Sequence, residues 1–267
     1  MSFIAPGLLG ALSASGISSP PGPGNRLLWW SADGTGGTTW EDVACTIPAG
    51  ASSRVAAVKS AEGTIFSQTD APQRPLLQGA AQNGLKGLFF SQPRNDFLGT
   101  TDATFLAALQ AASEVTILMV WKYQNTSGDH NGIQFRKQGS SGGLMIRRNP
   151  STKTEAGRYG TAGALTDYTS GSAITAAHSV VLSSDGIGGT PKQNRIYVQS
   201  TANTGADDTD LTDGAAWTDG TLGANRANPG HDAFLTGYLF EIAIFDAAAD
   251  LTEAGDLFSY ATAKWGL

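Results

Sequence analysis

The sequence predicts an all-β protein, an antiparallel sandwich with one short internal helix and one C-terminal helix. Three observations predict it. Only 15% of the residues are charged while glycine occurs 34 times, a balance that favours turn-rich sheet over helix. Short apolar segments recur along the chain, each bounded by turn residues. Residues 238–246 are apolar on both alternating faces, as in a strand covered on both sides, and a punctuated helical pattern follows them. At 267 residues the chain is long enough for one large sandwich.

Residues 1–24 stand apart and 25–267 form the domain. The apolar run 3–12 is broken by Pro6, Gly7 and Gly10, and Pro20, Pro21 and Pro23 alternate with glycine after it. No basic residue precedes Arg26, which argues against a secretory leader. A disordered terminus is one reading. The reading adopted here is a docking arm in which Phe3, Ile4, Leu8, Leu9 and Leu12 seek burial on a partner, since exposed apolar clusters cost solubility. The Pro-rich tract then serves as a semi-stiff spacer.

Residues 26–34 read as a strand ending in an Asp-Gly turn. Residues 40–59 are harder to read; the alternation of Val55, Ala57 and Lys59 with Ala56 and Val58 fits a strand. Asn83-Gly84 is a hairpin signal, because both central residues of that turn need positive φ. It joins 75–78 to 85–90. Asp102 caps a short helix whose Phe105, Leu106 and Leu109 share a face. In 114–123, Val115, Ile117, Met119, Trp121 and Tyr123 form one face, and Thr116, Leu118, Val120 and Lys122 the other. Strands are expected at 133–136, 144–148, 158–160, 178–183 and 195–199. In the last helix, Asp250 and Glu253 form a capping box, and Ala254, Leu257, Phe258, Ala261 and Trp265 share a face. Lys264 suits the negative end of the helix dipole and Gly266 the stop.

Two blocks carry a family resemblance. The first holds Arg74, Pro75, Asn83, Gly84, Leu88, Phe90, Asp96 and Leu98. The second holds Leu222, Gly223, Arg226, Gly237, Tyr238, Glu241, Phe245, Leu251, Thr252, Tyr260, Lys264, Trp265, Gly266 and Leu267. Leu28, Trp29, Ala32 and Asp33 add to them. The pattern resembles concanavalin A-like (laminin-G-like) jelly-roll domains of bacteriophage virion proteins and bacterial surface proteins. The family's turn after the Phe90 strand differs here, where Ser91-Gln92-Pro93 stands. The resemblance implies a concanavalin A-like jelly roll. It also implies a non-enzymatic structural protein of the virion, in the head decoration or the tail, assembled in the host cytoplasm and exposed outside. The arm would hold it to other virion proteins, and a homo-oligomer is expected. The alternative is a host-glycan-binding adhesion module.

Chemistry is sparse. The net charge of −6 disfavours nucleic acid, and no apolar run is long enough to cross a membrane. The lone Cys45 allows neither an internal disulfide nor a cysteine metal site. Glycoside hydrolysis needs two carboxylates flanking one bond. Glu241 and Asp246 lie five residues apart, on opposite faces of a regular strand, so Glu241 is expected to be structural, held by an arginine or by backbone N–H groups. The three histidines, His130, His178 and His231, have no tight spacing; His130 and His231 lie in loops, where surface histidines beside turn residues are ordinary. The aspartates Asp207, Asp208, Asp210 and Asp213 are the candidate calcium ligands, although such a loop is ordinarily just solvated, and no cofactor is otherwise expected. Trp40, Tyr159, Tyr168 and Trp217 are the candidate glycan-stacking aromatics, while Trp29, Trp30 and Trp121 read as core.

Overall fold

The computed structural model describes residues 19–124, 128–137, 143–149, 153–159, 166–169, 176–184, 194–207, 216–226 and 230–267. In chain order the first half comprises β1 (Arg26–Ser31), β2 (Gly37–Trp40), β3 (Ala57–Ser60), β4 (Ile65–Ser67), β5 (Leu76–Gln82), β6 (Leu85–Phe90), β7 (Leu98–Thr100), α1 (Ala103–Ala111) and β8 (Val115–Tyr123). The second half comprises β9 (His130–Arg136), β10 (Gly143–Arg148), β11 (Lys153–Tyr159), β12 (Thr166–Thr169), β13 (His178–Ser184), β14 (Asn194–Val198), β15 (Ser200–Asp207) and β16 (Asp219–Leu222). β17 (Asn225–Arg226), β18 (His231–Asp232), β19 (Gly237–Phe245) and α2 (Leu251–Trp265) complete it.

The strands make an antiparallel β-sandwich of two large sheets. One sheet runs β15-β14-β13-β8-β19-β6-β5, with β1 on the free part of the β19 edge. The other runs β12-β11-β10-β9-β16-β7-β4-β3-β2. A first core fills the space between them. At its centre the rings of Phe66, Phe105 and Phe135 meet edge to face, with centroids 5.5–6.4 Å apart. A second core lies between the first sheet and α2, built from Leu118, Val120, Phe240, Ala243, Leu257, Ala261 and Trp265. β8 and β19 are therefore covered on both faces, as their apolar alternation predicts.

Local signals land where the sequence places them. Asn83 and Gly84 adopt φ of 48° and 74° in the turn joining β5 to β6. The Asp102 carboxylate accepts from the Phe105 amide at the start of α1. Asp250 accepts from the Thr252 and Glu253 amides while Glu253 accepts from the Asp250 amide. Gly266 ends the helix in the left-handed conformation. Asp250→Ala is expected to remove about 1 kcal/mol of stability by freeing those donors, a loss that urea unfolding resolves.

Two expectations change. In β19 the register against β8 shifts between Leu239 and Glu241, a bulge that puts Phe240 and Glu241 together on the helix face. Leu239 joins Ile242 and Ile244 in the inter-sheet core instead of sharing a face with Glu241. The Pro-rich tract is also not all spacer. Pro20 and Pro23 are buried, and Gly22 lies against the Phe245 ring so closely that a Cβ there would stand 2.4 Å from it. The domain thus takes in residues ahead of the expected boundary at 24. The arm residues Phe3, Ile4, Leu8, Leu9 and Leu12 lie outside the described residues.

Candidate functional site

Glu241 is the acidic residue that a glycosidase reading would lean on, and the bulge turns it under α2. It is completely buried. Oε1 accepts from Trp29 Nε1 (2.7 Å), Tyr260 OH (2.7 Å) and Lys264 Nζ (3.2 Å), and Oε2 accepts from Trp265 Nε1 (2.6 Å). Its partners are two indoles, a phenol and an ammonium, not the arginine or backbone amides expected. Lys264 stands in the last turn of α2, as the dipole argument expects, but it is 2% exposed and turns inward, donating also to Ser31 Oγ and Thr35 Oγ1 and lying 3.4 Å from Asp33 Oδ2. Burial and the Glu241 charge push the Tyr260 hydroxyl far above its ordinary pKa, so it stays a donor. Burial also pushes Asp33 upward, but hydrogen bonds from Ser31 and Thr35 and the Lys264 charge outweigh it and hold the carboxyl below its usual range. Asp246 is engaged elsewhere, accepting from the backbone and side chain of Asn25. β19 therefore carries a structural clamp, with no acid–nucleophile pair.

The histidines split. His130 opens β9 and His178 opens β13; both are buried, which for His130 corrects the loop reading. Together with Tyr123 and Arg148 they plug one end of the inter-sheet space. The Tyr123 and His130 rings are parallel at 6.3 Å, His178 meets the edge of Tyr123 at 5.5 Å, and the Arg148 guanidinium lies 4.9 Å from the Tyr123 centroid. Burial drives the pKa of His178 down to about 4, opposed only by its hydrogen bond to the Ala176 carbonyl.

Of the three, His231 remains half-exposed, and it lines a groove on the second sheet. The groove encloses about 550 Å³ over β4, β7 and β16 of the nine-stranded sheet. Its aromatic wall is Phe97 stacked on His231, with centroids 3.9 Å apart. That wall is held from below. A one-turn helix over Gln92–Arg94 follows Phe90, and Asp96 clasps it by accepting from the Ser91 amide and from Arg94. This is the turn where the sequence departs from the family pattern, and it delivers Phe97 to the rim. Gly99 forms part of the floor, and a side chain built there would meet nothing nearer than 3.8 Å. Ile65, Ser67, Thr101, Asp102 and Asp219 complete the walls. The volume suits a small ligand, and an aromatic wall beside hydroxyls and carboxylates suits a polyol.

The sequence-predicted aromatics are not gathered here. Trp217 is a correction: it is 6% exposed and packs in the inter-sheet core, so it offers no stacking face. Trp40 is half-buried and lines a separate cleft of about 190 Å³ with Asp33, Pro48 and Lys86. Tyr159 and Tyr168 lie in β11 and β12, but their side chains fall outside the described residues, as does that of Asp207. Asp208, Asp210 and Asp213 lie wholly outside them. Among the described residues no group of three or more His, Cys, Asp or Glu side chains could hold a metal ion, and no helix is long and apolar enough to cross a membrane. Phe97 could have been flagged by alternation, since it sits between the buried Asp96 and Leu98 and so points the other way. Nothing local pairs it with His231.

No family model and no curated protein matches the sequence. Solved structures do match in fold. The carbohydrate-binding module CBM40 of the Ruminococcus gnavus IT-sialidase aligns with a TM-score of 0.50 and 12% identity over 63% of this chain and 94% of the module. Trypanosoma rangeli sialidase in its covalent complex with 2,3-difluorosialic acid aligns with a TM-score of 0.51 and 13% identity, over 92% of this chain but only 36% of the enzyme. At such identities the likeness is one of fold: this chain is built on the β-sandwich that a sialidase carbohydrate-binding module also uses.

Proposed function

We propose that this chain is a non-catalytic carbohydrate-binding sandwich whose ligand lies in the groove walled by Phe97 and His231. The observation that carries the reading is that stacked pair, 3.9 Å apart, standing over an open glycine floor between hydroxyl and carboxylate side chains. Sugar rings offer an apolar face to an aromatic wall and a rim of hydroxyls to polar side chains. The fold shared with a carbohydrate-binding module supports the assignment by analogy. The absence of an acid pair on β19 supports binding over hydrolysis, because Glu241 is enclosed and Asp246 is bound to Asn25. The setting we propose is the surface of a bacteriophage particle, as the two sequence blocks imply. The arm that would dock it there lies outside the described residues, and the glycan reading does not lean on it.

The test is glycan binding by wild type, Phe97→Ala, Gly99→Val and Trp40→Ala. Phe97→Ala is expected to weaken binding at least tenfold, the scale of about 1.4 kcal/mol lost with one stacking face. Gly99→Val should abolish binding by filling the floor while leaving the melting curve in place, since its Cβ makes only ordinary contacts. Trp40→Ala should change nothing. Loss of binding in Trp40→Ala with retention in the other two would move the site to the smaller cleft. Release of reducing sugar from any bound oligosaccharide would overturn the non-catalytic assignment.

A further inference from the structure

We infer that the groove is one end of a longer trough and takes an oligosaccharide of two or more linked units, with a second subsite between the start of β1 and α1. The inference rests on the groove being a glycan site. Its basis is a neighbouring recess of about 310 Å³, walled by Leu27, Glu62, Thr64, Thr104, Phe105 and Ala108. Gly63 and Asp102 line both spaces, so the two meet there. Gly63 keeps the junction low. It stands in the turn joining β3 to β4, where its amide donates to the Ser60 carbonyl and its φ of 100° favours glycine. A side chain built on it would meet nothing within 4 Å and would project into open space at the junction. Whole small-ligand sites run to about 300–1,000 Å³. Each space alone is therefore on the scale of one ligand, and the joined pair suits a chain.

The second recess has what a further sugar unit uses. Leu27, half-buried against the inter-sheet core, and Ala108, exposed on α1, give it apolar surface for the face of a ring. Thr104 is exposed one helical turn before Ala108 and offers a hydroxyl that both donates and accepts. At the junction, Asp102 Oδ1 accepts from the Phe105 amide (3.0 Å), while Oδ2 makes no hydrogen bond among the described residues and can accept from a sugar hydroxyl. Glu62 is engaged already, Oε1 accepting from Arg26 Nε (2.5 Å) and Oε2 from the Trp29 amide (2.6 Å). The one ring in this recess, Phe105, is 6% exposed and presents little face, so the Phe97–His231 wall remains the stronger anchor. Linkage makes up for that weakness. A unit tethered to one already bound loses little further freedom, and modest contacts then add to affinity.

The experiment measures affinity along length ladders of one to six units built from α-1,4-linked glucose, β-1,4-linked N-acetylglucosamine and α-2,8-linked sialic acid. The proteins are wild type, Gly99→Val, Ala108→Trp, Thr104→Arg and, as a control for bulk on α1, Ala107→Trp. Residues 104, 107 and 108 are exposed, so these changes should leave the melting curve in place, and Ala107 lines neither space. The expected result in wild type is an affinity that climbs at least fivefold between the shortest member that binds and a member one or two units longer. Ala108→Trp and Thr104→Arg should flatten that climb while keeping the affinity of the shortest member. Ala107→Trp should behave as wild type, and Gly99→Val should lose binding at every length. Affinity independent of length but abolished by Gly99→Val would overturn the second subsite and leave the groove as the glycan site. A climb that survives both Ala108→Trp and Thr104→Arg would overturn it equally. Binding that Gly99→Val does not touch, or no binding of any ladder, would overturn the groove reading and this inference with it.

Discussion

Glu241→Ala is expected to cost about 4 kcal/mol, the range found when one partner of a buried ion pair is removed. The substitution leaves the Lys264 ammonium at 2% exposure with one carboxylate neighbour in place of two, Asp33 at 3.4 Å. It also strips the acceptor from Trp29 Nε1, Trp265 Nε1 and the Tyr260 hydroxyl, each buried and each costly to leave unpaired. For a chain of this size that loss lowers the melting temperature by roughly 8–15 °C. Glu241→Gln should cost less, because the amide oxygen still accepts. Adding Lys264→Met to Glu241→Gln should cost less than the two single changes summed, which is the mark of a coupled pair. Thermal and urea unfolding of wild type and these four variants checks this. A change under 1 kcal/mol in Glu241→Ala would show that α2 is held by its apolar face alone. If the prediction holds, the clamp explains why one helix face, one strand bulge and the strand β1 act as a unit: Trp29 comes from β1, Glu241 from β19, and Tyr260, Lys264 and Trp265 all from α2.

Acid should destabilise the sandwich through His178. Its folded pKa of about 4 lies below the ordinary 6.5, because burial penalises the imidazolium. The unfolded chain therefore binds the proton first. The stability this neutral histidine contributes is complete above pH 6.5, falls as pH drops through the interval to 4, and is gone below it. A difference of that size corresponds to roughly 3 kcal/mol. The Tyr123 and Trp121 rings around it offer no counter-charge, and the nearby Arg148 guanidinium over Tyr123 adds a like charge at that end of the core. Two carboxylates modify the curve lower down. Asp96, raised mainly by burial, favours the folded state as it protonates, whereas Asp33, held below its usual range, loses its contribution only under strongly acidic conditions. Urea unfolding between pH 7 and 4 should show the decline, and His178→Phe should flatten it. An equally steep slope in His178→Phe would assign the acid sensitivity to other groups.

The first result bears on the proposed site only indirectly, because the clamp lies away from the groove. Glu241 and Lys264 sit beneath α2, on the far face of the first sheet, while Phe97 and His231 stand over the second sheet. Glycan binding in folded Glu241→Gln should therefore match wild type, which separates a fold defect from a site defect.

What the sequence by itself determined was local. The Asn83-Gly84 turn, the capped ends of α1 and α2, and the double-sided apolar alternation of β8 and β19 follow from positive φ, orphan amides and the period of a pleat, all written within a few neighbouring residues. Those signals sufficed for an antiparallel sandwich beneath a terminal helix. Only the tertiary structure decided who meets whom. Trp29 and Glu241 are 212 positions apart, and one bulge at Phe240 turns the carboxylate toward two indoles and an ammonium. His130 and Trp217 read as loop residues because their neighbours in the chain are turn residues, yet the packing of the sandwich buries both. Phe97 and His231 become a wall because β7 and the β17–β18 hairpin close over one face. Alternation fixes which face a side chain takes, but register between distant strands fixes its neighbours, and that register is settled only by packing the whole sandwich.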